Sequence, residues 1–241
     1  VNPLGPILLS LRVASVATLF TFAIGLALAR LFTSRKVPLK WLWEALILLP
    51  MVFPPTITGY LLLIVFGRRG PIGSLLAGIG VHVVFTWEAA VIASVTVSLP
   101  LMYQNCRAAL LGVVGRLQDA ARTLGLSEGR LFRAVTLPLA MRGILGGIAL
   151  SFARALGEFG ATLMIAGNIP GRTQTIPLAL YSAVEGGRNA EANVYLFITT
   201  ALSFGVIALV GIAERRAKPA VRGALFSNGL AVGTWRGRGA K

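Results

Sequence analysis

The chain has one cysteine, one histidine, four lysines and eight acidic residues in 241 positions, and each shortage excludes something. Cys106 alone cannot close an intrachain disulfide, and His82 alone cannot furnish a metal cage. Both are read as packing residues. A P-loop needs Gly-X-X-X-X-Gly-Lys followed by serine or threonine to cradle phosphates and place a magnesium ligand. None of the lysines, Lys36, Lys40, Lys218 and Lys241, has that hydroxyl after it. Internal repeats, heptad arrays and low-complexity linkers are missing as well, apart from a Gly-rich basic stretch from about Lys218 to Lys241.

What is present is apolar. Hydrophobic residues make up 56% of the chain and charged residues 13%, with a mean hydropathy of +0.79, more than one soluble core requires. A spanning helix needs about 20 mostly apolar residues. Five stretches qualify: Ile7 to Phe32, Leu42 to Phe66, Val83 to Cys106, Gly143 to Gly167 and Ala192 to Ala213. The first is too long for the apolar part of a cleavable signal and is read as a retained span. The expectation is an all-α integral membrane protein with one membrane domain over residues 7–213 and a flexible basic tail over 214–241.

The net charge of +15 is not spread evenly. Arg30, Arg35, Lys36 and Lys40 follow the first span, and Arg107, Arg116, Arg122, Arg130, Arg133 and Arg142 follow the third. Seven more basic residues follow the last, while the alternate loops hold only Arg68, Arg69, Arg172 and Arg188. Retention of positive residues in the cytoplasm accounts for this pattern, with the N-terminus outside and the C-terminus inside. Nucleic acid is the weaker reading, because the basic groups are dispersed and lack an aromatic stacking platform.

Polarity inside the spans marks candidate sites. Pro50, Pro54 and Pro55 remove backbone donors from the second span, so it is kinked or interrupted. Broken backbone at membrane depth is tolerated where it is buried in protein or lines a wet cavity. Pro54, Thr56 and Thr58 are therefore either a pathway element or a packing kink. In the fourth span Gly147, Ser151, Arg154, Glu158 and Thr162 recur at spacings of three or four, which would put them on one helical face. A charge at the bilayer centre costs at least about 2.5 to 3.5 kcal/mol on insertion scales, so this stripe should face protein. Arg154 and Glu158 fit a structural ion pair, an anion contact or a gating pair. Arg12, Glu44 and Glu88 are read as fixing helix packing or interfaces. His82 and the buried serines and glutamates show no nucleophile and base arrangement, which argues against an intramembrane enzyme.

The loop between the third and fourth spans reads as two short helices. Leu117, Ala120, Ala121 and Leu124 share one face, and Gly125 can take the left-handed conformation that ends a helix. Ser127 is a candidate N-cap with Glu128 in the first turn, and Leu131, Phe132 and Val135 give an apolar face that Pro138 should end. Such a rigid pair can carry an external push to the membrane, or it can rest on lipid headgroups.

Two resemblances join these features. The run from Asp119, Ala120 and Ala121 through Gly125 to Val135, Leu137 and Pro138 resembles the EAA loop of ABC importer permeases, with Asp for Glu and Val for Ile. The segments Ala155 to Thr162 and Ala166 to Tyr181 resemble the signature of molybdate permeases, whose first half sulfate permeases share. Leu49 to Thr56 and Gly67 to Gly73 are similar to the same group. The resemblance implies a type I ABC importer permease fold in the cytoplasmic (inner) membrane of a prokaryote. It also implies a homodimer with two ATP-binding cassette subunits, which carry the ATP and Mg, and an extracytoplasmic molybdate-binding protein. Arg68, Arg69, Asn168, Arg172 and Gln174 are then the outer residues expected to meet a doubly charged oxyanion. Sulfate, thiosulfate or tungstate are the alternative cargoes, and an ion-driven transporter or channel is the reading from a different class.

Overall fold

The structure is a computed structural model and describes residues 3–34, 37–113 and 115–216. Arg35, Lys36 and the tail over 217–241 lie outside the described residues. All regular structure among the described residues is helical. Among the described residues four helices are long and apolar enough to cross a membrane, and a bent pair raises the count to five.

The centre of the molecule is a three-helix seam. Helix α1 (Leu4–Ser34) packs on α5 (Trp87–Leu111), which packs on α8 (Leu137–Leu156). Lipid tails are as apolar as leucine, so helices in a bilayer associate through close packing at small residues rather than through water release. The seam follows that rule. Ala14, Ala17, Ala90, Ala93 and Ala155 are buried in it. A Cβ added to Gly147 would stand 2.7 Å from Asn105 Cβ, so only glycine permits this approach of α8 to α5. Thr21 Oγ1 and Ser98 Oγ lie 3.2 Å apart across α1 and α5, and each also donates to a carbonyl one turn back on its own helix. Cys106 is fully buried in this seam, as expected of a packing residue, but His82 is exposed.

The proline-rich second stretch forms two helices, α2 (Lys40–Val52) and α3 (Pro55–Phe66), bent by 116°. The break falls at Phe53 and Pro54, where two successive prolines have no N–H to continue the ladder. A short α4 (Pro71–Gly78) follows. Glu44 anchors α2 to α5, accepting from the Tyr103 hydroxyl at 2.8 Å and lying 3.2 Å from Arg107 Nε.

Two expected helix limits are corrected. The stretch from Gly143 to Gly167 is not one helix: α8 stops at Leu156, Gly157 follows as its cap, and α9 covers Gly160–Ala166. Thr162 therefore does not continue the face of Ser151 and Arg154 on one helix. Pro138 does not end a helix either. The chain runs from α7 (Glu128–Leu131) through a π-helical turn, Phe132–Thr136, directly into α8. The wider turn makes room for the proline ring and leaves its missing donor unneeded. The loop helix α6 (Gly115–Thr123), the short α10 (Ile176–Glu185) and α11 (Asn189–Arg216) complete the described residues. Helix α2 buries no residue, and α11 exposes Phe197, Phe204 and Ile207, apolar surface suited to lipid or to a partner chain.

Candidate functional site

At one end of the seam, α6 and α7 meet at a joint closed by two backbone bonds. Gly125 has φ +79°, its N–H donates to Arg122 O at 2.9 Å, and Leu126 N–H donates to Ala121 O at 3.2 Å. This pair of bonds is the Schellman arrangement, which satisfies carbonyls that a helix end leaves open. Ser127 occupies the position before α7, but its hydroxyl makes no capping bond. Arg122 fixes the angle instead. Its Nη1 donates to Asp119 at 2.9 Å within α6, and its Nε donates to Glu128 at 2.9 Å across the joint. The hydrogen bond to Arg122 holds the Glu128 carboxyl below the usual carboxylate range, and the same bond raises the Arg122 pKa.

The apolar face foreseen for α6 is divided. Ala121 is buried, whereas Ala120, Leu117 and Leu124 are exposed, Leu124 by 80%. Leu131 is buried, Val135 and Leu137 are half-buried and Pro138 is exposed, so the second limb is rooted in the seam through α8. Behind the joint lies a cavity of ≈890 Å³ lined in part by Arg30, Gln118, Arg122, Glu128 and Phe132. The Arg30 guanidinium lies 4.0 Å above the Phe132 ring, tying the end of α1 to the π turn. The arrangement is a stiff bracket with an uncovered apolar tip.

Midway along the fold, two separately expected patches come together. Glu158 sits in the break between α8 and α9 and is 2% exposed. Its Oε2 lies 2.7 Å from Arg154 Nη1, and its Oε1 accepts from the Ala161 N–H at 2.8 Å. One carboxylate thus pairs with the last turn of α8 and caps the first turn of α9. Burial of a charge needs such compensation. Helix α9 packs on α3 so closely that a Cβ on Gly59 would stand 2.7 Å from Ala161 Cα. A Cβ on Gly160 would stand 2.9 Å from Pro55 Cβ. The break in the second span and the break after the fourth are therefore in contact. Thr58 Oγ1 and Ser151 Oγ are buried without a hydrogen-bond partner among the described residues, Thr162 is buried, and Pro54 and Thr56 are exposed. The contact between α3 and α9 was missed in the sequence. The signal that locates the second break is the pair Gly157 and Gly160 flanking a charged residue.

The segment after α9 folds on itself. Thr173 Oγ1 donates to Gly167 O at 3.1 Å and accepts from Ile169 N–H at 3.0 Å. Gln174 donates to Asn168 at 3.0 Å, and Asn168 donates to the Ser182 hydroxyl. Both amides are therefore engaged within the segment. The start of α10 is tied to α1, since Ile176 N–H donates to Ser10 Oγ at 2.7 Å. Arg172 is exposed on a cavity of ≈450 Å³ together with Arg12, Trp87 and Glu88. Arg68 and Arg69 are exposed elsewhere, Arg68 on a cavity of ≈320 Å³ that also includes His82. The five outer candidates thus belong to separate places.

Similarity to known proteins agrees with this geometry. The chain is 46% identical over 190 residues to the molybdenum transport system permease protein ModB of Escherichia coli, covering 78% of this chain and 83% of that protein. It is 43% identical over 201 residues to a putative molybdenum transport system permease protein, YvgM, of Bacillus subtilis, covering 83% and 88%. Among solved structures it superposes on a bacterial ABC transporter involved in alginate import with a TM-score of 0.75 at 15% identity, covering 90% of this chain and 80% of that one. The MetNI methionine ABC transporter in inward-facing conformations gives a TM-score of 0.70 at 19% identity, covering 88% and 94%. These likenesses establish the fold as that of type I ABC importer permeases. The family model for the inner membrane component of binding-protein-dependent transport systems matches residues 21–222, and the chain belongs to that family.

Proposed function

We propose that this chain is the permease subunit of an ATP-driven importer that moves molybdate across the cytoplasmic membrane. The observation that carries the cargo is the similarity, over more than three quarters of the chain, to permeases named for molybdenum transport. The geometry supports the mechanism. Two copies of the chain enclose the path on a twofold axis, in keeping with the closed symmetry of most oligomers. Two ATP-binding cassette subunits bind ATP and Mg, and each receives the exposed tip of α6 around Leu124. Closure of these subunits pushes Asp119, Ala120, Ala121 and Gly125. Arg122 passes the push across the joint to Glu128, and the continuous run through Val135, Leu137 and Pro138 delivers it to α8. The far end of α8 is Arg154, whose partner Glu158 holds α9 against α3. Movement at the loop thereby reaches Pro54, Thr56, Thr58, Ser151 and Thr162, the proposed path. The N-terminus faces outside and the C-terminus inside, by the charge pattern.

A path with hydroxyls and few free cations suits release of a doubly charged oxyanion, since tight capture would stall it. Selection of the cargo then rests with the extracytoplasmic binding protein. The experiment is isotope uptake into proteoliposomes holding this chain and its ATPase subunit, with molybdate, tungstate and sulfate binding proteins supplied in turn. ATP-dependent molybdate uptake is the expected result. Uptake supported by the sulfate protein alone would refute the assignment, and oxyanion flux without any ATPase would place the chain in a different class.

A further inference from the structure

The cavity of ≈450 Å³ at the head of α5 gathers charges from three parts of the chain: Arg12 from α1, Glu88 from the first turn of α5, and Arg172 from the turn before α10. Among the described residues none of the three makes an ion pair or a side-chain hydrogen bond. Every other acidic side chain described has a partner: Glu44, Asp119, Glu128, Glu158 and Glu191 in ion pairs, and Glu185 from the Tyr181 hydroxyl. Glu88 thus shares its cavity with two guanidiniums without pairing to either among the described residues. The Arg12 guanidinium is stacked 3.8 Å from the Trp87 ring centre. Stacking uses its face and leaves the in-plane N–H donors for a planar bidentate acceptor. The 25 residues of α5 place this cavity about 37 Å from the end that carries the α6 bracket.

We infer that this cavity is a socket for a protein surface, in which Arg12 and Arg172 receive a carboxylate of the extracytoplasmic binding protein while Glu88 receives a neighbouring donor from it. The inference rests on the function proposed above. A free oxyanion would match the two guanidiniums but not Glu88, whereas a protein surface supplies both signs. Unpaired charges of mixed sign at an open rim steer encounter and fix register more than they add affinity.

The test uses the permease assembled with its ATPase subunit in nanodiscs, titrated with its molybdate-loaded binding protein over a salt series. Arg12→Gln and Arg172→Gln should each raise Kd by about tenfold, mostly through slower association, and flatten the salt dependence. Glu88→Lys should also weaken capture. Arg172 lies in an exposed turn, so its substitution is informative even where Arg12→Gln loosens the contact with Trp87. Unchanged Kd and salt dependence in both arginine variants overturn the inference. So does tighter capture by Glu88→Lys, which would show that Glu88 receives no donor from the binding protein. Wild-type molybdate uptake by the same complex in proteoliposomes separates the two levels: with uptake intact only the socket fails, and without it the proposed function fails first.

Discussion

Arg122 Nε and Glu128 Oε1 meet at 2.9 Å across the turn at Gly125, and the same guanidinium holds Asp119. This contact is what makes two short helices one body. Exposed ion pairs contribute little to stability. Its value here is geometric, since a hinge that yields cannot transmit a push. Arg122→Gln should therefore lower molybdate transported per ATP hydrolysed by several-fold while the assembled complex remains intact. Arg122→Lys, which has no fork to span two carboxylates, should restore little. Equal coupling ratios in both variants would remove this role.

The pH behaviour of the joint follows from the sign of the Glu128 shift. Its folded pKa is lowered, so the contribution of the pair is present above the ordinary carboxylate pKa and is lost as pH falls through the folded value. A spin label placed at the exposed Leu124 should report a rigid loop at neutral pH and gain mobility only below about pH 4. High salt should loosen it as well, because both groups are exposed and screened. Glu128→Gln should show the mobile spectrum at every pH.

Bulk at the joint should uncouple the motor. Gly125 has φ +79°, where a β-branched side chain is strained, and Ala121 is 7% exposed beneath the turn. Gly125→Val and Ala121→Arg should insert into the membrane normally yet lose at least about tenfold in uptake, a penalty of about 1.4 kcal/mol or more in productive coupling. Uptake at wild-type level in both would remove the claim.

At the contact of the two helix breaks, Gly59→Ala is the sharper probe. The added Cβ meets backbone at Ala161 Cα, 2.7 Å away, which cannot retreat as a flexible side-chain tip can. Overpacking of this kind costs about 1 to 3 kcal/mol. Gly78→Ala and Gly205→Ala, where nothing lies within 4 Å, serve as controls and should leave the unfolding temperature of the purified permease unchanged. Loss of stability in the controls equal to that in Gly59→Ala would argue against a tight seam between α3 and α9.

Glu158 offers a cycle. Glu158→Ala strips Arg154 of its partner and the Ala161 N–H of its acceptor. Breaking a buried pair costs about 3 to 5 kcal/mol, and the partial exposure of Arg154 puts the expectation at the lower end. Adding Arg154→Met should recover part of the loss, which thermal unfolding of the single and double variants would show. Additive losses would mean that the two side chains act independently.

Much of the architecture was legible because hydrophobic length is written locally. Each apolar stretch falls largely on helix, and the prolines near Pro54 mark a real break of 116°. Gly125 foretold the turn because only a left-handed residue closes that joint. The break after Leu156 was hidden, since the apolar run continues across it and the carboxylate that caps α9 looks like one more residue of a stripe. Nor does residue type distinguish a polar group already engaged from one free for a ligand. Asn168 and Gln174 are held by each other and by Ser182, while Arg12, packed over Trp87, and Glu88 make no ion pair among the described residues.

The most direct measurement concerns the tip of α6. A cysteine at Leu124, in a background with Cys106 replaced, should react quickly with a water-soluble maleimide in the permease alone. Once the ATPase subunit is bound, the same site should be shielded and should cross-link to that subunit. Equal labelling with and without the ATPase, and no cross-link in a complex that still transports, would contradict the loop as the place where the motor takes hold.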